Sequence, residues 1–260
     1  MVLQQRERER DKYMNKKLNR GVILNNFNAN DKRKTTALVL DVETALSKGN
    51  EQLIFDIGWT ISSVSNEQMV MHQSYIVEEI FLDMSLMERA YYFNKFPEYI
   101  RALASGRTEL KPFNEIITIL NNDIIDLNVK TLYAYNANFD STAITKTHRY
   151  INNNKSELVY DIKCLWSLSA QTFMATQKFV LTAFDNNWLT DKGNIKTSAE
   201  IAHRYLTGEN DFIESHTGLE DSVIETKILW AINRQGKKKD KNCKKQPWRR
   251  VKEVKDKMGL

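Results

Sequence analysis

The sequence predicts a mixed α/β fold, a β-sheet whose first three strands run antiparallel, flanked by helices. Three observations carry that reading. Apolar runs of strand length, separated by polar turns, occupy residues 37 to 77. Helix-spaced and strand-like segments then alternate to about residue 235. With 42 % hydrophobic residues among 260, the chain holds material for one substantial core.

The elements follow in order. "TALVLDV" is a short buried strand, and "QLIFDIGWTISSV" and "QMVMHQSYIV" are strands joined by the turn "SNEQ", giving an antiparallel meander. From Met84 to Ser105 the spacing turns helical, with Leu86, Tyr91, Phe96, Tyr99, Ile100 and Leu103 on one side and Pro97 set to kink or divide the helix. A helix from Pro112 to about Ile125 comes next, with the proline in its first turn. "KTLYAYN" reads as a strand and "DSTAITKTHRYI" as the helix after it; "ELVYDIKCLW" is a strand entering a helix, and "SAEIAHRYL" is helical. In "DSVIETKILWAINRQ", Val223, Ile224, Ile228, Leu229 and Ile232 fall in one apolar stripe, and Gly236 ends the helix.

Charge divides the chain into three parts. Residues 1–36 form a basic N-terminal extension, residues 37–235 the main domain, and residues 236–260 a basic C-terminal tail. The first part carries ten Lys/Arg against four Asp/Glu and the last eleven against three, so the net +5 leaves the body at 5 − 6 − 8 = −9. Basic ends of this kind either contact nucleic acid, by releasing phosphate counterions, or are solvated tails. Trp248, set in "KKQPWRR", fits a base-stacking role, a membrane-surface contact or a merely solvated tail alike. Cys164 and Cys243 belong to no CxxC pair, which speaks against a zinc site or disulfide framework and for a reducing, cytoplasmic setting. No apolar run is long enough to span a bilayer, and no secretory leader is visible at the N-terminus, so no membrane partner is expected. A GxSxG elbow and a Walker loop are both missing, which excludes the usual serine hydrolase and ATPase motifs.

Candidate chemistry begins in "LVLDVETALS". Residues two apart in a strand share a face, so Asp41 and Glu43 can share a cation at the strand's C-terminal end, where open α/β sheets commonly bind ligands. The alternative is a frayed strand end with Glu43 capping a turn. "YAYNANFDSTAI" brings Asp140 to the start of a helix, and "SHTGLEDSVIE" brings His216 and, five residues on, Asp221 to the start of another. Each of these aspartates alone also suits an N-cap.

Together the three stretches read DxE, NxxFD and HxxxxD, an order that resembles the DEDDh family of 3′→5′ exonucleases, which includes ribonuclease T, oligoribonuclease and the proofreading epsilon subunit of bacterial DNA polymerase. The resemblance spans roughly residues 37 to 235, and "DIGWTIS" and "YDIKCLWSLS" fit the family's intermediate segments. It implies a ribonuclease H-like fold and a metal-dependent 3′→5′ exonuclease that releases 5′-mononucleotides from single-stranded DNA or RNA ends. It further implies two Mg²⁺ or Mn²⁺ ions per site, held by Asp41, Glu43, Asp140 and Asp221, with His216 as the general base. Thr44 and Leu46 match positions that meet the terminal nucleotide, and Asn136 matches the asparagine of the second motif. Tyr135 stands where members often carry histidine, a departure that bears on the terminal 3′-hydroxyl contact. Phe139 is expected in the core. The family also admits a polymerase or other replication partner. Two rival readings remain, a catalytically silent nucleic-acid-binding module of the same fold and an integrase-type nuclease, although the latter class lacks HxxxxD.

Overall fold

The computed structural model describes residues 35–153, 158–237 and 246–260. Most of the basic N-terminal extension, and residues 238–245 of the tail, lie outside those residues.

Six strands form one sheet in the order β4-β3-β2-β1-β5-β6. β1 (Thr36–Leu46), β2 (Gln52–Ser63) and β3 (Gln68–Val77) are the expected antiparallel meander. Two turns of helix, α1 (Glu78–Phe81) and α2 (Met84–Met87), a 3₁₀ turn (Phe93–Lys95) and α3 (Phe96–Ala104) follow. The helix expected over Met84–Ser105, with Pro97 set to kink or divide it, is divided, and into more pieces than one proline explains. Pro97 does not kink a helix; it sits in the first turn of α3, where its missing N–H has no intrahelical partner to lose. A short strand, β4 (Glu109–Lys111), pairs parallel to β3.

α4 (Phe113–Asp126) leads into β5 (Thr131–Ala134), which pairs parallel to β1, and then into α5 (Ala137–Ile151). β6 (Ile162–Cys164) pairs parallel to β5 and runs into α6 (Leu165–Ser169), which continues as a π-type turn (Ala170–Met174). α7 (Gln177–Asp185), α8 (Ala199–Thr207), α9 (Gly218–Arg234) and α10 (Pro247–Lys257) complete the described chain. α9 begins three residues before the expected Asp221, and Val223 is only half-buried beside the buried Ile224, Ile228, Leu229 and Ile232.

The alternation of β1 explains the layers. Leu38, Leu40 and Val42 point into one core with Phe113, Ile116 and Leu120 of α4 and Ile144 of α5. Ala37 and Val39 point into the other, with Phe179 and Val180 of α7 and Ile224, Ile228 and Ile232 of α9. Covered on both faces, β2 is buried from Leu53 to Ser63, which is why its sequence is nearly continuous in apolar residues rather than alternating. This is the mixed sheet, antiparallel in its first three strands and flanked by helices, expected from the sequence. Phe139 packs against the first core, as expected. Among the described residues no helix is long and apolar enough to cross a membrane.

Candidate active site

On β1 the even residues fill the first core and the odd ones face α9, so Asp41 and Glu43 continue the face of Ala37 and Val39. β5 pairs with β1 only from Ala37 to Val39, so the edge beyond Val39 has no neighbouring strand on that side. A β-bulge between Glu43 and Thr44 then bends the strand, as bulges near sites often do.

α5 supplies what the short β5 leaves out. Asn136 is its exposed N-cap, and the buried Asp140 lies in its first turn, where the backbone N–H groups of Val42 and of Asp140 itself favour its ionised form. Asp140 is therefore not the N-cap. Its Oδ1 is buried without a partner.

α9 arrives through two glycines. Asp41 pairs with Gly58 across the sheet, and a Cβ built on Gly58 would stand 2.1 Å from the Leu219 nitrogen. A Cβ on Gly218 would stand 2.6 Å from the Gly58 nitrogen and 2.8 Å from the Asp41 carbonyl oxygen. No side chain fits at either position, so the helix start rests directly on the strand backbone. The Gly218 N–H donates to Asp56 at 2.9 Å, and Tyr99 Oη donates to the same carboxylate at 3.0 Å. Thr217 is the N-cap, which places the buried Asp221 in the first turn over Asp41, where the helix dipole favours an anion.

His216 precedes this helix with φ +51°, a conformation L residues rarely hold and one that clusters at functional sites. Its Nδ1 lies 3.9 Å from a Glu214 oxygen and 4.0 Å from an Asp221 oxygen. Ligating atoms of Glu43, His216 and Asp221 all fall within 4.8 Å of one another.

Five carboxylates thus face a small volume, counting Glu225 of α9 with the four expected ones. Burial first, and then the charges of Glu225, Asp221, Asp140 and Glu43, hold Asp41 well above the usual carboxylate range. Burial and Asp56 push Glu43 up to about 9, partly offset by Lys95; burial and Glu214 push Asp221 up to about 9. Burial raises Asp140 to about 7, against its backbone hydrogen bonds. Burial, and then the charge of Lys95, lower His216, which keeps its imidazole in the proton-accepting form near neutral pH. Acids so placed are electrostatically unfavourable unless cations share them. The orphaned Asp140 Oδ1 and the all-oxygen carboxylate set suit a hard divalent ion such as Mg²⁺ or Mn²⁺.

Sequence reasoning missed Glu225 and Glu214. Glu225 stands four residues after Asp221, hence on the same helical face, and its carboxylate accepts the Tyr135 N–H at 3.0 Å. That spacing was visible, but the residue sat inside an apolar stripe. Glu214, in a loop, carried no signal of its own. Thr44 and Leu46 continue β1 past the bulge, half-buried, and Asn136 is on the surface at the end of β5. Tyr135 turns its side chain away from the carboxylates: its hydroxyl donates to the Thr197 carbonyl at 2.7 Å in the second core. Trp59 and Trp188 are buried in the core. His203 is buried, packed on Phe212, with no partner for either ring nitrogen among the described residues.

Fold and site together define a mixed α/β domain with a carboxylate–histidine centre built on its central strand. No protein-family profile and no curated protein matches the chain. Among solved structures, it is similar to the nuclease domain of 3′hExo, a DEDDh family member, bound to rAMP, at 12 % identity over 79 % of this chain and 95 % of that one, with TM-score 0.46. It is also similar to a full-length 3′-exonuclease (12 % identity, 78 % and 83 % covered, TM-score 0.48) and to cell-death related nuclease 4, CRN-4 (15 % identity, 77 % and 64 % covered, TM-score 0.42). Any reading of function rests on the site's own geometry.

Proposed function

We propose that this chain is a metal-dependent 3′→5′ exonuclease of the DEDDh type, releasing 5′-mononucleotides from single-stranded DNA or RNA ends. The observation that carries the reading is that ligating atoms of Glu43, His216 and Asp221 fall within 4.8 Å of one another, with the buried Asp41 feeling the charges of Asp140, Asp221 and Glu43. The four acids would hold two divalent cations, Mg²⁺ or Mn²⁺. When bound, such ions stabilise charge on the attacking and leaving oxygens of a phosphodiester. His216 accepts the proton of the attacking water through an imidazole kept neutral by burial and Lys95. Asp140 faces β1 near the Val42 N–H and keeps one oxygen for a cation. Asp56 and Tyr99 hold the start of α9, and with it Asp221, in place.

Thr44, Leu46 and Asn136 would receive the terminal nucleotide. With Tyr135 turned inward, contact with the 3′-hydroxyl falls to Asn136 and the β1 backbone. A polymerase or other replication partner is no part of the proposal, since nothing among the described residues supports one. The silent-module reading differs in one cheap observation: it forms the same complex with a single strand but never cleaves it. The test is a 5′-labelled oligonucleotide with Mg²⁺ or Mn²⁺ followed on a denaturing gel. Stepwise shortening from a free 3′-hydroxyl end is expected, with no cleavage in EDTA, slower attack on blunt duplexes and strong inhibition by a 3′-phosphate. Efficient cutting of a circular single strand would sink the assignment.

A further inference from the structure

We propose that Tyr92 and Lys95 are positioning residues that clamp the His216 imidazole in its working orientation, an inference that rests on the reading of His216 as the base. A side chain that must take a proton along one direction needs its ring held, and the usual means is a hydrogen bond to the second ring nitrogen. Among the described residues His216 has none in reach: the two carboxylates beside Nδ1 stand at 3.9 and 4.0 Å, and the side chain is 31 % exposed. What it has is a stack. The Tyr92 ring lies on the imidazole with centroids 4.4 Å apart and planes 14° from parallel.

The same short segment holds the backbone around the histidine. The Lys95 ammonium lies 5.2 Å from the Tyr92 ring centroid and donates a hydrogen bond to the Ser215 carbonyl. Tyr99, one turn of α3 further on, has its hydroxyl 3.4 Å from the His216 carbonyl while donating to Asp56. Residues 92 to 99 therefore touch the loop at its ring, at the carbonyl before it and at its own carbonyl. Such bracing is what a residue at φ +51° needs, since a left-handed backbone persists only where its surroundings over-determine it. Tyr91, 87 % exposed, meets Tyr92 edge-on at 4.8 Å and leaves the stack open to solvent on that side.

The experiment compares Tyr92→Leu with Tyr92→Phe in the full chain and reads kinetics and the His216 ring signal separately. Loss of the stack should lower kcat roughly 10- to 100-fold, as small misplacements of a catalytic group do, with KM for a single-stranded oligonucleotide nearly unchanged. Phenylalanine keeps the ring and should restore kcat. Lys95→Met should shift kcat in the same direction as Tyr92→Leu, and serves should Tyr92→Leu fail to fold. The proton resonance of the His216 Cε1–H, assigned by its loss in His216→Ala, should carry the ring-current shift of Tyr92. It should move in Tyr92→Leu and stay in Tyr92→Phe, whether or not the chain cleaves anything. An unmoved resonance in folded Tyr92→Leu overturns the clamp even if hydrolysis is real. So does wild-type kcat in that variant, or a Tyr92→Phe variant as slow as the leucine one. If the resonance moves as expected while the wild-type chain cleaves no nucleic acid, the proposed activity fails and the stack stands.

Discussion

Asp41 stands among four other acids, with its ionised form opposed by burial and by every one of them. Asp41→Asn should therefore abolish hydrolysis and, in EDTA, raise the thermal midpoint near neutral pH, because it removes a group that must take up a proton to fold, without removing volume. A lowered midpoint would mean that Asp41 is held by contacts, not tolerated against repulsion. The pH dependence follows from the same crowding. A carboxyl raised in the folded state keeps a proton that the unfolded chain has already released, so stability falls as pH climbs between the two values. For Glu43 that window runs from its ordinary 4.5 to about 9. Without cations the midpoint should decline across it; Mg²⁺, binding only the folded state, should flatten the decline. A midpoint that rises over this range in EDTA would contradict the assigned cluster. His216→Ala should slow turnover about 10²- to 10⁴-fold while leaving single-strand affinity intact, and normal turnover would show that another group activates the water. At this scale the sequence was legible where a residue stood at or near the start of a helix, as Asp140, His216 and Asp221 do, or broke an apolar strand, as Asp41 does. It was not legible for Glu225, whose role depends on its carboxylate meeting the N–H of Tyr135, just past the end of β5.

The approach of β2 to α9 is set by backbone alone, so its test is a methyl group. Gly58→Ala puts a Cβ where only 2.1 Å separates it from the Leu219 nitrogen, and neither partner is a side chain that can turn away. Overpacking of this kind costs about 1–3 kcal/mol or more, and it should move Asp221 off Asp41, so both stability and turnover should fall. Gly49→Ala is the control, with a nearest contact of 3.7 Å and no expected change. Equal behaviour of the two variants would show that the glycine contact does not set the site. The long elements were readable because their periods span enough residues to be distinctive: β1, β2, β3, α4, α5 and α9 fall within a few residues of expectation. β4 was not, at three residues with no period to detect. α10 was hidden by composition, since its buried Pro247 and Val251 are few among lysines and arginines.

Across the whole molecule, an acidic body is asked to hold a polyanion, and cations in the basic segments are the natural counterweight. The described part of the C-terminal segment is more than a solvated appendage: α10 seals the second core through Val251. Deleting residues 237–260 should therefore lower the thermal midpoint as well as nucleic-acid affinity. Trp248→Ala combined with Arg249→Gln is the cleaner probe, because Trp248 is 44 % exposed and Arg249 lies over its ring. It should leave the midpoint alone while weakening single-strand binding and flattening its salt dependence, as fewer phosphates are neutralised. An unchanged salt slope would place the strand elsewhere. The glycine contact beneath Asp221 has one more consequence. With main chain resting on main chain, no rotamer stands between the strand carrying Asp41 and the helix carrying Asp221, so their separation cannot breathe by side-chain motion. The cavity is gauged before any cation enters it. Amide exchange at Leu219 to Ser222 should thus be slow and nearly indifferent to Mg²⁺.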